Sequence, residues 1–289
     1  MKKVLMFYPY HATVINSVSE LFPEISFELA WLPEFGIHDV FNVSPLESNV
    51  KILEYTWKDV EEDNYDFLIV SKCIYYVMWR RWHIPGVSIT LNAGDKIVKG
   101  CKWNIAHTYQ TFEGNEHNTT LIFQTVGKKS VGDWVGTDKR AYFINEKSFK
   151  EREGKIWDRT FYEYLIQKVP FSTLPGFLPR QEYLDYRRML GVYVELSNRA
   201  YNCQFMESMM MGQPVVVPDI PDYNKIVEHG KNGLLYKTKE EAKDMILFAL
   251  KDDGITNEMG KNAYLKAESI AGNEVRRKAW LEVFSKVIK

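Results

Sequence analysis

The sequence predicts an α/β fold in two halves, each with alternating strands and helices. Three observations carry that expectation. Short apolar runs alternate with amphipathic stretches through the first half of the chain. A segment rich in glycine and charge, VGKKSVGDWVGTDKR (126–140), interrupts the alternation, which then resumes. The run VVV, Val215 to Val217, is enclosed between Gly212-Gln213-Pro214 and Pro218 and turns no residue toward water, as in the central strand of a parallel sheet.

In order along the chain, KVLMFY (3–8) is an apolar run ending at Pro9 and predicts a buried first strand. HATVINSVSELF follows, with Val14, Val18 and Leu21 at helical spacing. ISFELAWL and YDFLIV (65–70) predict two more strands, and YYVMWRRWHIP a helix up to Pro85. GVSITLNAG (86–94), KWNIAHTYQTF (102–112) and TTLIFQTVG (119–127) are further strand predictions. After the glycine-rich segment, AYFIN (141–145) opens the second half as a strand. TFYEYLIQKV (160–169) predicts an amphipathic helix, FSTLPGF a short strand and turn, and RQEYLDYRRML (180–190) a helix. GVYVEL (191–196) predicts a strand. CQFMESMMM predicts a helix, with Gly212 as its left-handed C-terminal cap. DYNKIVEH predicts a helix closed by Gly230, and KNGLLY a last strand. TKEEAKDMILFALKDDG opens on a capping box, Thr238 to Glu241. NEVRRKAWLEVFSKVIK predicts a final helix with Val275, Ala279, Val283 and Val287 as its apolar stripe. The domain expectation is 1–135, 136–272, and a helix over 273–289 returning to the first domain.

The 289 residues are 26% charged and 45% hydrophobic, an ordinary globular composition. A formal charge of -1 gives no global field that would draw nucleic acid or an anionic membrane. Cys73, Cys101 and Cys203 have no metal-ligand spacing, and so sparse a set points to a reducing, cytoplasmic setting. The N-terminal run is too short and aromatic for a signal peptide, and no run spans a bilayer. No Gly-x-Gly-x-x-Gly marks a dinucleotide site, no acidic-histidine spacing marks zinc, and no Asp-x-Asp marks another metal.

In an open parallel sheet, ligands bind beyond the carboxyl ends of the strands, near helix N-termini. The stretch Ser197 to Asn202 after GVYVEL, followed by the helix carrying Glu207, is such a place. A carboxylate about one turn into that helix suits a ribose diol; it is equally a solvated helix glutamate. His11 and Thr13 follow the first strand, and His107 sits in a later one. For a lone histidine, simple packing is the competing reading.

FMESMMMGQPVVVPDIPDYNKIVEHGKNGLLY (205–236) resembles the donor-binding signature of the retaining GT-B glycosyltransferases, the glycosyl transferases group 1 family. Glu207, Ser208, Gly212, Pro214, Val215 and Val216 fit the first half of the family pattern. Ile226, Glu228, Gly230, Asn232 and Gly233 fit the second. The resemblance implies two Rossmann-like domains facing a cleft, with the C-terminal helix crossing back. It implies a hexosyltransferase that takes a nucleotide-sugar, UDP-linked first, and needs neither metal nor other cofactor. Asn145, Arg199, Ala200, Tyr201, Asn202 and Glu207 are then the donor-binding candidates, with Glu207 on the ribose hydroxyls. Lys150 and Arg152, in the basic stretch NEKSFKEREGK, would neutralise the leaving diphosphate; a solvated charged surface is the alternative. They join His107 as catalytic candidates, and His11 and Thr13 lie on the acceptor side.

One departure matters. The pattern has a glutamate eight residues before Glu207, and here that residue is Arg199. Ala200 and Asn202 replace the glycines of the same loop. Donor-sugar identity, or transfer itself, is thereby put in question, and a non-catalytic nucleotide or sugar binder and a nucleotide-sugar epimerase are the alternatives. For the acceptor, a glycan and a hydroxymethylated base in DNA are the two classes. Compact bacteriophage enzymes of the second kind are similar in general appearance, and MWRRWHIP (78–85) offers planes that stack on either. The charge of -1 weighs against DNA. A monomer or homodimer is expected.

Overall fold

The computed structural model describes residues 1–7, 12–31, 46–56, 61–71, 84–89, 103–143, 159–172, 178–196 and 203–288. The strands are β1 (Lys3–Phe7), β2 (Ser26–Trp31), β3 (Val50–Thr56), β4 (Phe67–Ser71), β5 (Gly86–Ile89), β6 (Trp103–Ala106), β7 (Thr119–Leu121), β8 (Asp138–Tyr142), β9 (Phe171–Ser172), β10 (Leu190–Val194), β11 (Val215–Pro218) and β12 (Leu234–Tyr236). The helices of two turns or more are α1 (Ala12–Ser19), α2 (Arg159–Ile166), α3 (Arg180–Met189), α4 (Cys203–Met211), α5 (Lys239–Lys251), α6 (Asp253–Ala271) and α7 (Asn273–Val287). None of the described helices is long and apolar enough to cross a membrane.

The chain forms two compact units, Met1–Val126 with Asn273–Lys289, and Gly127–Gly272. The first holds a seven-stranded parallel sheet in the order β3-β2-β1-β4-β5-β6-β7. One face packs Val4, Met6, Phe67 and Ile69 against Val18 and Phe22 of α1 and its exit, and against Trp280 and Phe284 of α7. The Phe284 ring meets Phe67 edge-on at 4.9 Å, a favoured aromatic geometry. The C-terminal helix is thus part of the first unit's core, as the fold class predicts. Its buried stripe is Arg276, Trp280, Val283, Phe284 and Val287, whereas Val275 is exposed. The predicted stripe is therefore rotated by one residue at its start, because a single arginine takes the inward position.

That arginine is paired through both terminal nitrogens. Arg276 Nη1 donates to the carbonyls of Ser17 and Thr125 at 2.6 and 2.7 Å, and Nη2 to Glu20 at 2.6 Å and to the Asn273 side chain. A buried guanidinium persists only when its donors find acceptors in this way.

The second unit holds a five-stranded parallel sheet, β12-β11-β10-β8-β9. In unit order this is 5-4-3-1-2, the flavodoxin-like winding, whose direction reverses between β8 and β10. Val192, Val194, Val216 and Ala141 pack beside Ile246 and Ala249 of α5. Tyr142 and Tyr193, register partners, alternate out of that core cluster.

Several local expectations are revised. The predicted strand 102–112 stops at Ala106, because Thr108 caps a helical turn, Tyr109–Phe112, by accepting from the Thr111 amide. β8 begins three residues before the predicted 141–145 and ends at Tyr142. DYNKIVEH makes one short helical turn, Pro221–Asn224, and then a turn closed by Asn232, which accepts from the Glu228 amide and donates to the Ile226 carbonyl. β3 and α6 are additional elements that periodicity did not reveal. The predicted helix at YYVMWRRWHIP lies outside the described residues up to His83.

Candidate active site

The carboxyl ends of β8 and β10 flank the reversal of strand order in the second unit, where an open α/β sheet takes its ligand. β10 leads on to α4, whose residues from Phe205 to Met211 are all buried. Gly212 ends α4 with φ of 83°, the left-handed cap the glycine predicts, and Pro214 then starts the return into β11. A close neighbour fixes that turn. A Cβ on Gly260 of α6 would lie 2.1 Å from the Gly212 carbonyl oxygen, so only glycine lets α6 pass behind the cap.

Glu207 is on the second turn of α4 and only 1% exposed. Its carboxylate is held by two arginines of α3. Arg187 Nη1 donates to Oε2 at 2.7 Å and Arg180 Nη2 to Oε1 at 2.9 Å. Arg187 is fully buried, and it also donates to the Tyr183 hydroxyl, the Gln204 carbonyl and the Ser208 hydroxyl at 2.8, 2.8 and 2.6 Å. Its guanidinium lies over the rings of Tyr142, Tyr183 and Tyr193 at 5.2, 5.1 and 5.9 Å, so aromatic faces supply the rest of its environment. The Arg180 side chain is 10% exposed and forms the solvent-side edge of the cluster.

The electrostatics follow from this packing. Burial acts to raise the Glu207 carboxyl, but the charges and hydrogen bonds of Arg180 and Arg187 outweigh it and hold the group below its ordinary value of 4.5. Glu207 is therefore ionised at neutral pH. Burial, joined by the Glu207 charge, pushes the Cys203 thiol up to about 12, so Cys203 is a thiol rather than a nucleophilic thiolate. Burial likewise pushes Tyr142 up to about 12.

In the first unit, His107 follows the carboxyl end of β6 and is 5% exposed. Its Nδ1 bonds the carbonyl of Ile122. A carbonyl only accepts, so Nδ1 carries the hydrogen and Nε2 presents a lone pair. That Nε2 is buried with no hydrogen-bond partner. Burial lowers the imidazole to about 4, against a smaller raising effect of the Ile122 bond, and the ring is neutral at pH 7.

Of the other predicted site residues, Thr13 is in the first turn of α1. His11, Asn145, Lys150, Arg152, Arg199, Ala200, Tyr201 and Asn202 lie outside the described residues. Glu207 and His107 belong to different units. The residues that the structure does bring to Glu207, namely Arg180, Tyr183 and Arg187, were not among the predicted set. Their signal is the spacing 180, 183, 187 along one helix face, with Arg187 sharing the inward stripe of Leu184.

Residues 173–266 match the model of the family described as Glycosyl transferases group 1, about a third of the chain. The whole chain is similar in fold to solved GT-B glycosyltransferases. Anabaena HepE, in a structure described as a complex with UDP and glucose, superposes with a TM-score of 0.66 at 13% identity, over 99% of this chain and 100% of that one. A sucrose-phosphate synthase of Thermosynechococcus elongatus gives 0.69 at 9% identity, over 99% of each chain. A glycosyltransferase of Rickettsia africae gives 0.67 at 8% identity, over 100% and 99%.

Proposed function

We propose that this protein is a glycosyltransferase that moves a sugar from a nucleotide-sugar, UDP-linked first, to a hydroxyl of an acceptor, with retention at the anomeric carbon and without a metal. The observation that carries the reading is the unit Glu207–Gly212–Pro214. It follows β10 at the reversal of strand order and lies inside the region matching the glycosyltransferase family. In this reading Glu207 accepts hydrogen bonds from the ribose hydroxyls. Arg199 to Asn202 and Asn145 border the sugar and diphosphate. Lys150 and Arg152, beyond β8, neutralise the diphosphate as it leaves. The Nε2 lone pair of His107 accepts from a sugar hydroxyl, and His11 and Thr13 border the acceptor. For the acceptor we favour a glycan hydroxyl over a DNA base, since a formal charge of -1 offers little attraction to a polyanion.

The test is a calorimetric and thermal-shift panel of UDP-, GDP- and ADP-sugars, followed by incubation of the binding donor with glycan acceptors and with hydroxymethylated DNA. Saturable binding of one donor and its acceptor-dependent consumption are expected. Absence of binding to every nucleotide-sugar overturns the reading. A second reading, a nucleotide or sugar binder without transfer, draws on Arg199 in place of a family glutamate and on the hold of two arginines on Glu207. Binding without turnover in any acceptor mixture would select it.

A further inference from the structure

The sequence contains one Asn-Gly pair, Asn232-Gly233, in the turn that leads into β12. Asparagine before glycine is prone to spontaneous ring closure, because a residue without a side chain leaves its amide nitrogen open to the preceding carboxamide. The fold nevertheless requires both residues. A Cβ on Gly233 would lie 2.7 Å from Val215 Cγ2 and 2.8 Å from Val227 Cγ1, so only glycine lets the turn pack on β11. Asn232 is 5% exposed, and its carboxamide is engaged at both ends. Its Oδ1 accepts from the Glu228 amide at 2.6 Å, and its Nδ2 donates to the Ile226 carbonyl at 3.0 Å. The Asn232 amide also donates to the Glu228 carbonyl at 3.2 Å, so side chain and main chain clasp residue 228 from two directions. An ionised aspartate could accept from Glu228 but has no N–H for Ile226. The turn is tied down further by the Gly230 amide, which donates to the Gly233 carbonyl at 2.8 Å, and by Asn262 of α6, which donates to the Lys231 carbonyl at 3.2 Å.

We propose that Asn232 is a deamidation site that the native turn keeps closed and that unfolding opens, so that time spent unfolded becomes irreversible loss of this fold. The inference is independent of the nucleotide-donor reading. In the step, the Gly233 nitrogen gives up its proton and bonds to Asn232 Cγ. The Cγ–Nδ2 bond breaks, and ammonia leaves with that proton. Water then opens the five-membered imide at either carbonyl, giving aspartate or isoaspartate; water enters, ammonia departs, and nothing is oxidised or reduced. The native bonds oppose this step. It removes Nδ2 from Ile226 outright, and it draws Cγ onto the Gly233 nitrogen while the Glu228 amide holds Oδ1. The product cannot restore the turn. A carboxylate at position 232 faces the Ile226 carbonyl with acceptors only, a mismatch in a buried place. The isoaspartate form also adds a carbon to the main chain ahead of β12, which disturbs the bridge of His229 with Gly233 and the pairing of Leu234 with Val216. Conversion therefore acts as a ratchet on the unfolded chain, the kind of chemical step that makes unfolding irreversible.

The experiment incubates the full-length protein at mildly alkaline pH, folded in buffer and denatured in guanidinium chloride, and follows each asparagine by peptide mass spectrometry. Asn232 is expected to convert first in the denatured chain. In the folded protein it is expected to convert about 10- to 100-fold more slowly, the ratio that two net hydrogen bonds set. Converted molecules gain a negative charge and separate by ion exchange. After removal of the denaturant they are expected to unfold at a lower denaturant concentration than unconverted ones, or not to refold. Equal rates in the folded and denatured chains would show that the turn gives no protection. Another asparagine converting first in the denatured chain would show that the pair is not the labile site. Equal unfolding midpoints of converted and unconverted protein would show that the carboxamide is not the lock. Any of the three overturns the proposal. Asn232→Asp supplies the aspartate product directly, and its midpoint should fall below that of wild type; should that variant not fold, the ratio of folded to denatured rates in wild type decides.

Discussion

Lowering the pH should charge His107 far later than an exposed histidine, and the delay has a measurable stability cost. The folded imidazole titrates at about 4 because it is buried, against an ordinary value of 6.5. Between those two values the unfolded chain binds a proton that the folded chain does not. Stability therefore rises with pH across that window, and the His107 contribution is complete above about pH 6.5 and lost as pH falls toward 4. At about 1.4 kcal/mol per pH unit the gap amounts to about 3 kcal/mol. Two readouts check this. Proton NMR of the six histidines should contain one ring that stays neutral to about pH 4, and that resonance should vanish in His107→Gln. Denaturant unfolding of the first unit, followed from pH 7 to 4.5, should fall more steeply in wild type than in His107→Gln, which carries no titrating ring. A His107 resonance titrating near 6.5, or equal pH slopes in the two proteins, would refute the reasoning, because a ring that charges at its ordinary value is in contact with water.

Three further outcomes are expected. Arg187→Leu leaves the Glu207 carboxylate without its deepest partner, and it should cost about 3–5 kcal/mol of stability in chemical denaturation; a loss under 1 kcal/mol would mean that Arg180 alone satisfies Glu207. Gly260→Ala drives a methyl into the Gly212 carbonyl, which cannot retreat from its left-handed cap, and should lower stability by about 1–3 kcal/mol in the same assay; an unchanged midpoint would refute the close approach. Ser88→Ala removes a hydroxyl buried in β5 without a hydrogen-bond partner, so stability should hold or rise by about 1 kcal/mol, and a clear loss would show that ordered water satisfies it.

Where the sequence was legible, a physical signal was local. The run VVV has to be a two-faced buried strand, and Gly212 has to cap a helix where only φ above zero continues into Pro214; both hold. The capping box at Thr238 forms too, with Thr238 accepting from the Glu241 amide, although Glu241 reaches back to the Lys237 amide. α6 escaped because its inward stripe is Gly260, Ala263, Ala267 and Ala271, small residues chosen for close helix contact that carry almost no hydrophobic periodicity. β3 escaped because it is an edge strand, with Ile52 exposed and Leu53 buried, against the usual alternation of polar and apolar. The site was legible only in its centre. Glu207 stood out from the motif, but its partner Arg187 lies 20 residues earlier on another helix. A charged residue on an inward stripe reads as solvated until the fold supplies its carboxylate. Likewise the tautomer of His107 is set by Ile122, on a segment that reaches it only through the pairing of β6 with β7.

The buried guanidinium of Arg276 binds both Thr125 and Asn273, residues that stand next to the two points where the chain passes from one unit to the other. Exit and re-entry are thus within the span of one side chain. Topologically the second unit is an insertion, a cassette of residues 127–272 whose ends meet at a single doorway in its host. Such an arrangement lets the inserted module be exchanged for another by recombination at two neighbouring points while the host sheet, with its C-terminal helix, stays whole. It also leaves Val126 and Asn273 near enough for a short linker to close the host.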